Sequence, residues 1–233
     1  MFQFKQFSIY QENSGMKLTA DAVLFGAWTF TNYKAERILD IGCGTGILSL
    51  IAAQKTSAII TAIDIDDGAI KDTNTNINET PWQNRINVIH SSIQNFTRIN
   101  SLGFDLIVSN PPFYEHSLDS LIESRTLARK NITLSYLDLL KQSKLIMDKS
   151  TRLSILLPTQ YSRSFIILAE SQGIYLKRIC EVHETNSSPS KICFMVFSLQ
   201  NRQPQNEKLY KLHTNGIVTT EYFALIKDFY TNI

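Results

Sequence analysis

Residues 38–46, Ile38-Leu39-Asp40-Ile41-Gly42-Cys43-Gly44-Thr45-Gly46, pass from a short apolar run into glycines at every second position and then into a helix-like stretch. This segment restricts the possible folds more than any other. Glycine allows the sharp reversal from strand to helix and lets a ligand approach the main chain, while the helix start presents free N–H groups. The same grammar repeats downstream. Strand-like runs are Arg37–Ile41, Ile59–Asp64, Asn87–His90, Phe104–Ser109 and Leu153–Leu157, and helix-like runs are Thr45–Lys55, Asp67–Asn78, Leu134–Met147 and Thr159–Gly173. Strands alternating with helices predict an α/β fold, a parallel sheet with helices on both faces. After Gly173 the pattern changes: Ile174–Val182 and Ile192–Leu199 flank a polar turn and predict an antiparallel hairpin. Thr219–Tyr230 reads as a closing amphipathic helix.

The ligand of the turn follows from its spacing and its acids. A dinucleotide fingerprint is GxGxxG with a pyrophosphate at the helix start. Here the spacing is GxGxG, and Asp40 closes the strand ahead of it. A carboxylate there repels pyrophosphate and suits a cationic amino-acid group, which favours S-adenosylmethionine. Asp64 ends the next strand, where an open α/β sheet places an acid against ribose hydroxyls. Asp66 and Asp67 read as the cap and first turn of the following helix. The competing reading is another nucleotide-binding protein of Rossmann type.

A second motif closes another buried strand. Asn110-Pro111-Pro112-Phe113 follows Phe104–Ser109, so its side chains are delivered to an open sheet edge. Asn offers an acceptor and a donor, the Pro pair stiffens the turn, and Phe supplies a flat apolar face. These parts grip a planar group that carries an exocyclic amine. The Asn110 side-chain oxygen and the Pro111 carbonyl can accept its two hydrogens, and Phe113 can stack on the ring, with Tyr114 extending the aromatic edge. The basic excess of the chain begins just beyond. Residues 1–116 hold eight Lys/Arg against eleven Asp/Glu, whereas residues 117–233 hold fifteen against ten. Arg125, Arg129 and Lys130 open that second half. Arg125 and Arg129 are four apart and share a face in a helix, as phosphate contacts or as a solvated surface.

The bulk numbers exclude other classes. No apolar stretch of the 233 residues reaches the roughly 18 needed to span a membrane. The opening MFQFKQFSIYQ lacks the basic and apolar regions of a signal peptide. Cys43, Cys180 and Cys193 show no metal spacing and read as buried thiols. A cytoplasmic monomer without a metal is expected. Phe2, Phe4 and Phe7 read as core rather than as a substrate clamp, and His183 and His213 as surface residues.

With both motifs in view, the chain resembles the class I S-adenosylmethionine-dependent methyltransferases, through DIGCGTG at 40–46 and NPPF at 110–113. Within them it is similar to the bacterial tRNA adenine-N6 methyltransferases that modify adenosine 37 of a valine tRNA. FKQFSIYQ, MKLTADAVLFGAW (16–28), NINETPWQNRINV (76–88) and SRTLARKNITL (124–134) carry that similarity over nearly the whole chain. The resemblance implies a Rossmann-like sheet of seven mostly parallel strands, the last antiparallel, in one domain over 1–233. Residues 37–233 would be the catalytic core and 1–36 a cap over the site. It also implies that Asp40, Gly42, Cys43, Gly44 and Gly46 line the methionine end, that Asp64 and Ile65 hold the ribose side, and that Lys17 and Asp21 close over the cofactor. Asn110, Pro111, Pro112 and Phe113 would be catalytic, with Asn110 also touching the cofactor. The third motif departs from the family: Ser92 and Ile93 stand where an acid often meets the cofactor adenine.

Two related chemistries use the same fourth motif. Methylation of a glutamine amide in release factors goes with a longer helical segment ahead of the first strand, and only 36 residues precede it here. Guanine-N2 methylation of ribosomal RNA goes with a duplicated domain, and this chain shows no repeat. An inactive binding subunit would have a broken turn or lack Asn110, and both are intact.

Overall fold

The strand–helix alternation that begins at residue 37 builds a single twisted sheet covered on both faces. The computed structural model describes residues 1–31, 33–100, 103–112 and 134–231. In chain order the elements are β1 (Phe2–Gln3), β2 (Ser8–Ile9), α1 (Ala20–Phe30), β3 (Arg37–Ile41), α2 (Ile47–Lys55), β4 (Ile59–Asp64) and α3 (Asp67–Asn78). After a 3-10 turn come β5 (Ile86–His90), α4 (Ile93–Ile99), β6 (Leu106–Ser109), α5 (Tyr136–Leu145), β7 (Arg152–Pro158) and α6 (Thr159–Ser171). The chain closes with β8 (Tyr175–His183), β9 (Ser190–Ser198), β10 (Gln205–Tyr210) and α7 (Thr220–Ile226).

The sheet order is β10-β8-β9-β7-β6-β3-β4-β5. Strands β3 to β9 are the seven expected, and β9 runs antiparallel to both neighbours, β7 and β8. The sheet is one strand wider than expected, because β10 adds in parallel to β8 at the edge. Its sequence, QNEKLY, is polar, and only Leu209 is buried. A side-chain contact holds it in place: Arg178 of β8 pairs with Glu207 of β10 and stacks over the Trp28 ring, 4.0 Å from its centre.

β3 and β6 lie in the middle and, beyond Arg37, are buried on both faces, and six of their nine residues are apolar. Their side chains alternate between two cores. Ile38, Leu106 and Val108 face the helices α1 and α2, while Leu39, Ile41 and Ile107 face α4, α5 and α6. Asp40 falls by the same alternation on the α2 side. The order reverses between β3 and β6, with β4 and β5 on one side and β7 on the other. Ile41 is in register with both Ser109 and Ile63, so the ends of β3, β4 and β6 open into one crevice. Such a reversal is where open α/β sheets bind ligands.

Residues 1–36 divide in two. Ala22–Phe30 is buried throughout and packs α1 against α2, in the helical layer itself. Residues 10–18 instead cross the front of the sheet as a strap. Phe4 and Phe7 are core, as expected, but Phe2 is not: it lies in the small β1–β2 ribbon and is exposed. All three cysteines are buried and free. His183 differs from expectation: it is largely buried, its Nδ1 2.8 Å from the Ser188 carbonyl and its ring against Tyr210. No described helix is long and apolar enough to cross a membrane.

Candidate active site

The glycine turn has the conformation that its sequence demands. Gly42, Gly44 and Gly46 have φ of 72°, 58° and 78°, in the left-handed region that side chains with a Cβ resist. The three differ in surroundings. A Cβ on Gly42 or Gly44 would meet nothing within 4 Å, so the turn faces open space there. A Cβ on Gly46 would press on the Thr73 methyl at 3.0 Å, so this glycine serves packing. The turn is fastened from behind, where the N–H groups of Gly42 and Cys43 donate to the Ile63 carbonyl at 2.9 and 3.1 Å.

Two carboxylates flank the turn in different states. Asp64 stands at its mouth, half-buried, with Oδ2 accepting from the Gly44 N–H at 2.9 Å and Oδ1 from the Asp66 N–H at 2.9 Å. Each oxygen keeps a further lone pair for a ligand. Asp40 lies beneath the turn with 0 % exposure. Its Oδ2 accepts from the Ser49 hydroxyl at 2.7 Å, and its Oδ1 is buried with no partner. Burial pushes its carboxyl up to about 7, partly opposed by the Ser49 hydrogen bond. A buried, unpartnered carboxylate oxygen calls for a donor or a cation. Cys43 is buried against Thr73, and burial, then the charge of Asp40, pushes its thiol up, so it is a packing residue of the turn rather than a nucleophile.

Asn110 follows β6 one residue beyond Ser109, beside the glycine turn. Its Oδ1 is buried and has no hydrogen-bond partner among the described residues. Ser109 donates its hydroxyl to the Ile41 carbonyl at 2.8 Å, which ties the ends of the two motif-bearing strands. Pro111 is buried and Pro112 half-buried. Phe113, Tyr114, Arg125, Arg129 and Lys130 lie outside the described residues.

The remaining positions distribute unevenly. Ile65 is exposed beside Asp64 and offers an apolar surface at the cleft. Ser92 caps α4 by accepting from the Asn95 N–H at 3.2 Å, and the Ile93 side chain is buried in the core. Lys17 fastens the strap, donating to the carbonyls of Gln11 and Ser14 at 2.6 and 3.1 Å. Asp21 pairs with Lys211 at 3.3 Å, on the side of β10.

Helix α3 contributes a feature that motif reading missed. Asp72, Thr73 and Asn76 are all buried, on the face toward the strap and the turn. Asp72 takes the N–H groups of Asn13 and Ser14, Thr73 donates to the Gly44 carbonyl at 2.8 Å, and Asn76 bridges Tyr10 and Thr45. Burial works against the Asp72 carboxylate, but the hydrogen bonds from Asn13 and Ser14 outweigh it and hold the group below its ordinary range. The available signal was polar residues at four-residue spacing in a helix that must bury one face against a sheet.

Comparison with known proteins settles the family. A methyltransferase small domain model matches residues 22–135. The tRNA1(Val) (adenine(37)-N6)-methyltransferase of Flavobacterium psychrophilum is 37 % identical over 232 residues, covering 99 % of each chain. This chain belongs to that family. The enzyme of the same name from Bacteroides fragilis is also 37 % identical, over 98 % of this chain and 97 % of its own. Among solved structures, a predicted O-methyltransferase of Agrobacterium tumefaciens superposes with a TM-score of 0.68 at 15 % identity, covering 91 % of this chain and 99 % of that one, and so shares its fold. Neither the release-factor nor the guanine-N2 reading is favoured by these relatives.

For a methyltransferase the methyl donor is S-adenosylmethionine, and the cleft fits that molecule. Open positive-φ glycines would admit its amino-acid end, the fixed carboxylate of Asp64 could accept from a diol, and the wholly buried Asp40 could favour a cation only from beneath the turn. Among the described residues, no group of three or more His, Cys, Asp or Glu could hold a metal ion.

Proposed function

We propose that this methyltransferase acts on the exocyclic N6 amine of an adenosine in tRNA, position 37 of the anticodon loop of a valine tRNA, as its relatives are named for. The observation that carries the chemistry is the buried, unpartnered Oδ1 of Asn110 beside the open glycine turn. The lone pair of an adenine amine is delocalised into the ring, which makes it a poor nucleophile. Asn110 Oδ1 and the Pro111 carbonyl accept the two amine hydrogens, so the nitrogen can become tetrahedral with its lone pair directed into the cleft. Positive charge then develops on nitrogen, and both dipoles stabilise it without reorganising. Bound there, S-adenosylmethionine would supply the electrophilic methyl group, its C–S bond breaking as the N–C bond forms, with S-adenosylhomocysteine leaving and the methylated nitrogen losing one proton to water. Asp64 and the glycine turn orient the donor, and proximity provides much of the remaining acceleration.

In this reading Phe113 and Tyr114 stack on the base, and Arg125, Arg129 and Lys130 neutralise phosphates. A base in an exposed loop is less costly to extrude than one in a duplex. The protein works as a cytoplasmic monomer without a metal, as one domain with 1–36 completing the site. The test is a labelled-methyl assay on total tRNA from cells lacking this modification, followed by nucleoside mass spectrometry. A new N6-methyladenosine peak is expected. Cofactor binding with no labelling of tRNA would reject the acceptor.

A further inference from the structure

The strap of residues 10–14 is held by one face of α3, at positions four residues apart. Asp72 is only 2 % exposed, and its carboxylate receives the Asn13 N–H at 3.0 Å, the Asn13 side-chain amide at 2.8 Å and the Ser14 N–H at 2.7 Å. No cation pairs with it among the described residues. Burying a carboxylate without a cation is unfavourable unless hydrogen bonds replace its hydration, and here they come almost wholly from the strap. One turn on, Asn76 is 1 % exposed. Its Oδ1 accepts from the Tyr10 N–H at 2.7 Å, while its Nδ2 donates both to the Tyr10 carbonyl at 2.8 Å and to the Thr45 carbonyl at 2.9 Å. That amide therefore joins the strap to the glycine turn. One turn back, Gly68 lies against the strap so closely that an added Cβ would collide with the Asn13 carbonyl. Unlike the glycines of the turn, Gly68 has no positive φ, so its own backbone does not require glycine. What requires it is the approach of the strap.

We infer that Gly68, Asp72 and Asn76 are positioning residues that latch residues 10–14 across the glycine turn and thereby set the residence time of S-adenosylmethionine. The inference rests on the reading of that turn as the cofactor site. None of the three side chains needs to touch the cofactor: they act through the strap, which Ser14 brings to the Gly44 carbonyl at 3.5 Å.

The experiment uses the full chain in three variants, Gly68→Ala, Asp72→Asn and Asp64→Ala. Affinity and dissociation of S-adenosylmethionine are measured by calorimetry and stopped flow, and protection of the amides at 10–14 by hydrogen exchange. Alanine is a better helix former than glycine, which offsets part of the cost of displacing the Asn13 carbonyl, so Gly68→Ala is expected to fold with a modestly lowered melting temperature. Gly68→Ala and Asp72→Asn should each weaken cofactor binding by about tenfold, equivalent to ~1.4 kcal/mol. The loss should come mainly from faster release, with deprotected strap amides and a raised KM for the cofactor while kcat at saturation is retained. Wild-type affinity in Gly68→Ala overturns the inference, whether or not the strap amides lose protection. Wild-type affinity in Asp64→Ala overturns the underlying site reading instead. Loss in Asp64→Ala alone leaves that reading intact and rejects only the latch.

Discussion

The Ser109 hydroxyl donates to the Ile41 carbonyl across 2.8 Å, joining the last residues of β6 and β3 at the head of the crevice. One residue beyond each lie Asn110 and Gly42, so this bond sets the proposed acceptor for the amine against the glycine turn. Ser109→Ala is expected to cost about 1 kcal/mol, a typical value for one buried hydrogen bond, or roughly 2–4 °C in melting temperature for a chain of this size. Steady-state kinetics should show a larger fall in kcat than in cofactor affinity. An unchanged kcat would mean that the two motifs are aligned by the sheet alone.

Asn110→Ala removes the proposed acceptor at the point where charge would develop. Transfer is expected to fall by at least about a hundredfold, the usual effect of deleting one preorganised dipole, while cofactor affinity stays within a few-fold. A labelled-methyl assay beside calorimetry checks both. Retention of most turnover would move the amine contact elsewhere.

Asp40 is expected to couple cofactor binding to pH. Its folded-state carboxyl is raised to about 7 from an ordinary 3.8, so the folded protein holds a proton that the unfolded chain has lost. Its contribution to stability is therefore greatest in acid and declines as pH rises from about 4 to about 7. A bound cation favours the carboxylate and lowers that value. Affinity for S-adenosylmethionine should rise with pH through 7, with a fraction of a proton released on binding, seen as a buffer-dependent enthalpy. In Asp40→Asn the linkage should vanish. A wild-type enthalpy independent of buffer ionisation would place the cation away from Asp40.

The glycines of the turn should separate by function. Gly46→Ala puts a Cβ at φ 78° and 3.0 Å from the Thr73 methyl, so roughly 1–2 kcal/mol of left-handed strain adds to repacking, and the melting temperature falls. Gly42→Ala carries similar strain at φ 72° but enters open space. Its stability loss should be smaller, and its cofactor affinity should drop further than strain explains. Equal affinities in the two variants would refute the division.

Arg129→Ala tests the RNA side of the proposal. Loss of one phosphate contact lowers the slope of log affinity against log salt by roughly 0.7–0.9. An unchanged slope removes Arg129 from the contacts.

Much of this was legible in the sequence because parallel βα units write both boundaries clearly. The bounds read for β3, β4 and α3 match those observed, since each apolar run ends at a glycine or an acid. α1 was hidden because it is apolar on every side, buried from Ala22 to Phe30, and so lacks the amphipathic period that marks a surface helix. β10 was hidden for the opposite reason: an edge strand with one buried residue has no alternation to read, and the Arg178–Glu207 pair that docks it joins residues 29 apart. α4 is seven residues long with only Ile93 and Phe96 buried, too short to show a period. At the site, glycines and Asn110 announce themselves by type. Asp72 and Asn76 do not, because their meaning lies in a main chain some 60 residues earlier.

The Lys5 N–H donates to the Phe229 carbonyl at 2.8 Å, and the Phe4 ring packs 5.5 Å from that of Tyr230. The near anchor of the strap is therefore made of residues that the ribosome adds some 220 positions later. A nascent chain has the floor of the methyl-donor cleft once β4 and α3 have emerged, yet the segment that covers it waits for more than 150 further residues before its second attachment exists. Domains fold as units during synthesis, and here the cover is seated only when the unit closes on itself. Any nick or truncation near residue 229 should thus be felt at the cofactor, on the far side of the chain.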